Sequence, residues 1–271
     1  LHDALPICIN HMAWLLEISR NGEDLYPIIR KRAQEGPIYA PTLALRELHP
    51  EYADRIPSVA EQFTPDNHHD MVRFEIMKQF GYFVTESSEH SSEYYPWFIK
   101  KDHPELIDRF HIPLDEYPRR CRDQIARWKQ QAEHLVHNEN LTHTRSSEYA
   151  AGIIEALETG RTFGFAGNVL NTGLIDNLPF DACVEVSCMV NEGHLSPCHM
   201  GPLPNQLAAL NRRQIEVHQL TVDAALTRKK EYIYQAAMLD PHAGSELTID
   251  EIRSLVDDLI QAHGDWLPEY H

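Results

Sequence analysis

The sequence predicts a helix-rich α+β domain with one small mixed sheet. Alternating apolar and polar side chains indicate strands within residues 162–190, where Ala182, Val184 and Val186 alternate with polar neighbours. Helical spacing of apolar residues with clear end signals recurs in most of the remaining chain. No internal repeat or low-complexity linker divides the 271 residues.

The first third of the chain is predicted to contain a strand followed by helices. Residues 12–19 are typical of a buried strand, and Asn21-Gly22 is a strong turn signal. Helices are expected from Leu25 towards Gly36, near residues 42–53 and from about Asp66 to Phe80.

The rest of the chain alternates irregular and helical segments. Residues 82–98 keep neither period and are expected to form a loop lining a sugar site, since aromatic rings stack on sugars and polar groups bond hydroxyls. Helices are expected at 114–138, 147–159 and after a capping box at Thr248 and Glu251. The apolar positions of the first of these helices predict a buried stripe of Cys121, Ile125, Trp128, Ala132 and Leu135.

Composition excludes several classes of partner. A formal net charge of -17 disfavours nucleic acid and anionic membrane surfaces, which attract clustered Lys and Arg. No apolar run approaches the roughly 20 residues that span a bilayer. Five cysteines without a C-x-x-C pair argue against a disulfide scaffold or zinc knuckle. These features predict a soluble cytoplasmic enzyme.

Two segments carry residues that suit chemistry. His11, beside Asn10, offers an imidazole to a divalent metal, although a lone His near Trp14 is more often structural. The 86–94 cluster, with Glu89 and His90, supports either acid–base work or a helix cap at Ser87 or Ser88.

Two further segments leave alternatives open as well. Arg119 can bind paired substrate oxygens or pair with an acid on its own helix. The 167–179 run suggests a ligand-facing hairpin or a turn network built on Asn side chains. The chain contains no G-x-G-x-x-G, G-x-S-x-G or H-E-x-x-H motif.

Several ordered segments together resemble glycoside hydrolase family four. Ile9-Asn10-His11-Met12-Ala13-Trp14 resembles its G-I-N-H-x-x-W signature, with Cys8 where the family has Gly. The segments that resemble the α-galactosidase branch include residues 80–98, Asn168-Val169-Leu170-Asn171, Ile175-Asp176-Asn177-Leu178-Pro179, Gly201-Pro202-Leu203-Pro204 and Ala236-Ala237-Met238-Leu239-Asp240-Pro241-His242. The resemblance covers roughly residues 9–268.

The resemblance implies a glycosidase that uses NAD and a divalent metal, usually Mn²⁺, outside the usual two-carboxylate scheme. NAD takes a hydride from sugar C3, and the resulting ketone acidifies the C2 proton that a base removes. The metal stabilises the enediolate charge. Elimination, addition of water and return of the hydride complete the cycle. The implied substrate is a small-molecule α-galactoside, and the implied whole enzyme is a homo-oligomer.

The resemblance also assigns roles to residues of this chain. It implies that His11 is the metal ligand and that Asn10 contacts the substrate. Arg119 matches a substrate-binding Arg. The general base lies in the 86–94 stretch, where Glu89 and His90 are the candidates.

The resemblance further implies a C-terminal domain of the lactate/malate dehydrogenase-like glycosidase type, without the N-terminal Rossmann domain or the segment carrying a Cys metal ligand. Residues 1–8 are expected to be a foreign or disordered remnant and 9–271 to form the substrate- and metal-binding domain. We expect such a fragment to be inactive. The alternatives are an α-glucosidase or α-glucuronidase of this family, or a non-catalytic sugar-binding module.

Overall fold

The computed structural model describes residues 2–9, 11–35, 70–138 and 148–271. For residues 2–8, 32, 34 and 35 it describes the backbone only. Its centre is a seven-stranded sheet in the order β3-β2-β1-β6-β5, with β4 added to β2 and β7 to β6. The strands are β1 (His2–Ile9), β2 (Met12–Arg20), β3 (Glu23–Asp24), β4 (Phe83–Val84), β5 (Phe163–Leu170), β6 (Cys183–Asn191) and β7 (His194–Pro197).

Every strand pairing in the described part of the chain is antiparallel. The expectation of a mixed sheet was therefore wrong, although the α+β class is confirmed. Tight turns join β1 to β2 and β6 to β7, and tight turns can only link antiparallel neighbours. Strand signals alone do not give the direction of a partner.

Helices surround the sheet. Within the described residues they are α1 (Tyr26–Glu35), α2 (Met71–Phe80), α3 (Ser88–Tyr94), α4 (Glu105–Arg109), α5 (Glu116–His137), α6 (Ala150–Thr159), α7 (Asn205–Thr227), α8 (Lys230–Leu239), α9 (Ala243–Glu246) and α10 (Ile249–His263), followed by a 3-10 turn at Gly264–Trp266. None of the described helices is long and apolar enough to cross a membrane.

One main core joins the sheet to α2 and α7. Alternate side chains of β2 and β6 are buried, as the strand period requires. Trp14 on β2 is fully buried, and its indole N–H donates to the Asn211 side chain on α7 over 2.8 Å. The core consists mainly of Met12, Trp14, Val72, Ile76, Val84, Tyr95, Ile175, Val184, Val186, Leu207 and Ile215.

Several helix boundaries follow from local chemistry. Thr248 and Glu251 form the expected capping box at the start of α10. Gly81 ends α2 in the left-handed conformation with a φ of 84°, which is nearly free of strain only for glycine. The predicted helix at 42–53 and the predicted start of the next at Asp66 lie outside the described residues.

The predicted buried stripe of α5 was wrong. Ile125, Trp128 and Leu135 are 58%, 61% and 42% exposed, and no residue of this helix is buried against the rest of the described chain. Helical periodicity shows that one face is apolar, but it does not show that another element of the same chain covers that face.

Residues 2–9 form β1, which pairs with β2 along its length. The register runs from His2 opposite Arg20 to Ile9 opposite Met12, with an irregularity between Leu5 and Pro6. The backbone of these residues is therefore hydrogen-bonded within the sheet. That residues 1–8 are a foreign remnant stays a prediction.

Candidate functional site

The site begins at the two-residue turn between β1 and β2. Ile9 pairs with Met12, and His11 lies in the turn just before Met12, while Asn10 lies outside the described residues. His11 has a φ of 59°, a left-handed conformation that is uncommon for residues other than glycine, although Asn, Asp and His adopt it more often than the others. The turn holds the imidazole at the end of the hairpin, with 36% of the side chain exposed.

Glu86 contacts this imidazole. His11 Nδ1 lies 2.8 Å from Glu86 Oε2, although the two residues are 75 positions apart in the chain. Burial acts to raise the pKa of Glu86, but the Ser87 backbone N–H and the His11 ring outweigh burial and lower it. The carboxyl is therefore an ionised acceptor near neutral pH, which favours a proton on Nδ1 and leaves the Nε2 lone pair of His11 available to a ligand.

His90 also contacts the imidazole of His11. Its ring stacks on that of His11 with centroids 4.8 Å apart and an interplanar angle of 2°. Ser87 is the N-cap of α3 and accepts from the His90 backbone N–H, while its hydroxyl lies 2.9 Å from His90 Nδ1. The predicted helix cap at Ser87 is therefore present together with the contact between His90 and His11, and the cap orients the helix that carries His90.

Tyr94 completes the aromatic stack one helical turn later. Its ring centroid is 6.0 Å from that of His11 and 6.5 Å from that of His90. Burial, followed by the negative charges of Glu93, Glu86 and Asp240, raises the pKa of the Tyr94 phenol. The charge of Asp240, which directly follows α8, thus acts on the Tyr94 phenol.

Glu89 and Arg119 both interact with Glu116. Burial and the nearby Glu116 raise the pKa of Glu89, whereas His90 and Arg120 act in the opposite direction. Arg119 is half-exposed on the first turn of α5 and pairs with Glu116 at 2.5 Å. This is the same-helix pairing that the sequence left open, so a substrate contact for Arg119 stays a prediction.

The 167–179 run is a turn network in the described structure. The buried Asn171 side chain donates to the carbonyls of Ile175, Leu178 and Pro179 and accepts from the Ile175 N–H. Asn177 similarly exchanges hydrogen bonds with the backbone of Leu203. These amides stabilise the connection from β5 to β6, which favours the structural alternative over a ligand-facing hairpin for both residues.

Sequence reasoning missed the pairing of Glu86 with His11. Glu86 precedes the N-cap Ser87 in a run of short polar residues, so it looked like one acid among several. The effect of the Asp240 charge on Tyr94 was missed too, although Asp240 lies in the 236–242 segment that resembles the family.

The donor set fits a metal only in part. Among the described residues no three His, Cys, Asp or Glu side chains are grouped to hold an ion. His11 nevertheless has the surroundings that are typical of a metal-ligating histidine, since its Nδ1 contacts a carboxylate and its ring is partly exposed. Further ligands would have to come from outside the described residues or from a substrate.

These features define an α+β domain with a polar, partly exposed site suited to acid–base and metal chemistry. A profile of the "Family 4 glycosyl hydrolase C-terminal domain" matches residues 7–243, and the chain belongs to this family. The predicted resemblance to this family is thereby confirmed.

Curated relatives support this assignment. The chain is 55% identical over 262 residues to an alpha-galactosidase of Bacillus subtilis, covering 97% of this chain and 54% of the relative. It is 29% identical to an alpha-galactosidase of Rhizobium meliloti, covering 97% and 50%. The chain thus spans about half the length of the curated relatives it matches.

A solved structure supports the fold. A 6-phospho-alpha-glucosidase from gut microorganisms, in complex with NAD and Mn²⁺, superposes with a TM-score of 0.62 at 21% identity. The match covers 100% of this chain and 57% of that chain.

Proposed function

We propose that these residues form the substrate- and metal-binding half of an NAD- and Mn²⁺-dependent α-galactosidase. The observation that carries this proposal is the 55% identity to the Bacillus subtilis alpha-galactosidase along 97% of the chain. The complex of a structural neighbour with NAD and Mn²⁺ supports the choice of cofactors. The cluster at His11 supports the location of the chemistry.

The residues of this chain divide the work between binding and proton transfer. When bound, NAD supplies reversible hydride transfer at sugar C3 and the divalent ion stabilises negative charge on the C2 and C3 oxygens. His11 would hold the ion through Nε2. Asn10 and Arg119 would bind sugar hydroxyls.

The base that removes the C2 proton would be His90 or Glu89. His90 stacks on the proposed metal ligand, so a proton accepted by its ring would lie beside the bound sugar. Glu89 has a pKa above its usual value, which makes its carboxylate a stronger base.

Turnover of a chromogenic α-galactoside by the whole enzyme tests the proposal. We expect activity that needs both NAD and Mn²⁺ and that exceeds activity on α-glucosides, α-glucuronides and 6-phospho-α-glucosides. His11→Ala should abolish it, whereas His103→Ala, which alters an exposed His paired with Glu105, should retain it. Full activity of the His11 variant, or no activity on galactosides, would overturn the proposal.

Isotope incorporation tests the mechanism separately. In D₂O the released galactose should carry deuterium at C2, because the base removes that proton and solvent returns another. A direct displacement at C1 would leave the C2 hydrogen in place. His90→Asn and Glu89→Gln should then differ, with the true base showing the larger loss of C2 exchange.

The 271 residues alone should not turn over galactosides, because the family's hydride acceptor binds in the other half. Measurable turnover by this chain with added NAD and Mn²⁺ would contradict that expectation. A sugar-binding module without catalysis would instead bind galactose equally well with His11→Ala and without metal.

We also propose a cytoplasmic location and a homo-oligomeric whole enzyme. Cys121, Cys183, Cys188 and Cys198 are free thiols, which suits a reducing compartment. The exposed apolar face of α5 offers contact area to another subunit. Light scattering of the whole enzyme and cell fractionation test these two proposals, and a monomer or a secreted enzyme would contradict them.

A further inference from the structure

The carboxylate of Glu86 lies close to two histidines that are distant from each other in the chain, His11 and His90. One oxygen, Oε2, is 2.8 Å from His11 Nδ1 at the hairpin turn. The other, Oε1, accepts the Ser87 N–H at 2.8 Å and lies 3.8 Å from His90 Nδ1. Both oxygens are thus in use, and the Ser87 contact fixes the orientation of the carboxylate relative to α3.

We infer that Glu86 is a positioning residue: it holds His11 in the Nδ1–H tautomer and orients the ring so that Nε2 can ligate the divalent ion of the proposed function. An imidazole alone in solution favours neither this orientation nor this tautomer strongly. A carboxylate acceptor at Nδ1 selects the tautomer and increases the basicity of the other nitrogen.

The surroundings of His11 make this contact important. The residue sits on a turn, and about a third of its side chain is exposed, so packing alone does not fix its ring. Its described contacts are the Glu86 carboxylate and the faces of His90 and Tyr94. Stacking restrains the plane of the ring but leaves a 180° flip possible, and the flip would exchange Nδ1 with Cδ2. The hydrogen bond to Glu86 distinguishes the two orientations.

The chain offers a matched control for this contact. His103 Nδ1 lies 3.0 Å from Glu105 Oε1, in another His–Glu pair with side chains 61% and 66% exposed. That pair is local in sequence and, among the described residues, no hydrogen bond or ion pair joins it to the hairpin. Replacing Glu105 therefore changes the same kind of contact away from the site.

The tautomer gives a readout that needs neither metal nor activity. The ring ¹⁵N chemical shifts of His11, measured on the 271-residue chain labelled at histidine, should show the Nδ1–H form in the wild type. Glu86→Leu should shift His11 towards Nε2–H, and Glu86→Gln, which keeps an acceptor oxygen, should largely preserve the wild-type pattern. Glu105→Leu should leave His11 unchanged.

Metal affinity of the whole enzyme gives the second readout. Titration with Mn²⁺, followed by electron paramagnetic resonance, should show about 10- to 100-fold weaker binding for Glu86→Leu and a smaller loss for Glu86→Gln. Glu105→Leu should bind as the wild type does. Circular dichroism checks that each variant is folded. If Glu86→Leu does not fold, Glu86→Ala takes its place, with the same tautomer shift and the same loss of Mn²⁺ affinity expected.

The outcomes separate this inference, which rests on the proposed function, from the proposed function itself. If the wild-type enzyme does not bind Mn²⁺, the proposed function fails, while the tautomer measurement still decides whether Glu86 positions His11. If the wild type binds Mn²⁺ but Glu86→Leu binds equally tightly and keeps the Nδ1–H form, the positioning role is refuted. A purely structural Glu86 would lower thermal stability and leave both readouts unchanged.

Discussion

The buried hydrogen bond between Trp14 and Asn211 should contribute strongly to stability, because it joins β2 to α7 across the core. Both side chains are fully buried. Asn211 Oδ1 accepts the indole N–H at 2.8 Å, and its Nδ2 donates to the Met12 carbonyl at 3.3 Å. Asn211→Ala removes both bonds and leaves the Trp14 N–H without this acceptor in a site closed to water.

The magnitude follows from the cost of the orphaned groups. A buried donor left unsatisfied costs about 1–3 kcal/mol, and the second, longer bond adds about 0.5–1 kcal/mol. The free energy of unfolding should therefore fall by about 1.5–4 kcal/mol. Urea unfolding of the 271-residue chain, followed by circular dichroism, measures this as a lower midpoint at unchanged slope.

A double-mutant cycle isolates the bond itself. Trp14→Phe removes the indole donor, so Asn211→Ala should cost about 1–2 kcal/mol less in that background than in the wild type. Arg213→Ala, at an exposed position on the same helix, should change stability by less than about 0.5 kcal/mol. An equal cost of Asn211→Ala in both backgrounds, or a cost below about 0.5 kcal/mol, would refute the reasoning.

Three further predictions concern the backbone, packing and charge. The free energy of unfolding of His11→Gly should exceed that of His11→Ala by about 1 kcal/mol, because a φ of 59° disfavours a Cβ. This difference raises the urea midpoint of His11→Gly, and equal midpoints would contradict it. Gly152→Ala should lower the free energy of unfolding in the same assay, since its Cβ would lie 2.6 Å from the Phe163 ring. Phe163→Leu should relieve this effect, and a stabilised Gly152→Ala would contradict the prediction. The Lys100 ion pair lowers the pKa of Glu246 from 4.5 to about 2, so its stabilisation is present above pH 4.5 and lost as pH falls towards 2. Thermal melts of wild type and Glu246→Gln should converge across that range, and a constant gap would count against the assignment.

Local signals predicted much of the fold. The strand at 12–19, the helix after residue 25 and the capped helix from Thr248 depend on contacts within a few residues, and each is present. The stripe of α5 shows the limit of such signals. Its residues Ile125 and Trp128 are spaced as a buried face would be, but burial depends on what packs there, which periodicity does not contain.

The site shows the same limit at longer range. Glu86 and His11 are separated by 75 residues, and they meet because β4 pairs with β2, which brings the start of α3 close to the first hairpin. No spacing rule in the sequence encodes that approach. The resemblance to the family pointed to His11, whereas the geometry was needed to select Glu86 from the acids around it.

The conformation of His11 supports a role beyond the fold. A histidine with a φ of 59° occupies a turn position where glycine would relieve the strain, and its side chain is not buried in the core in return. Its ring instead meets the Glu86 carboxylate and the rings of His90 and Tyr94. In most of a protein the conformation that each residue prefers agrees with the overall fold. A residue that adopts a strained backbone conformation without gaining buried contacts is therefore expected at a functional site. Strain at the turn and the polar contacts of the ring therefore favour the same interpretation, that the imidazole is there for what it binds.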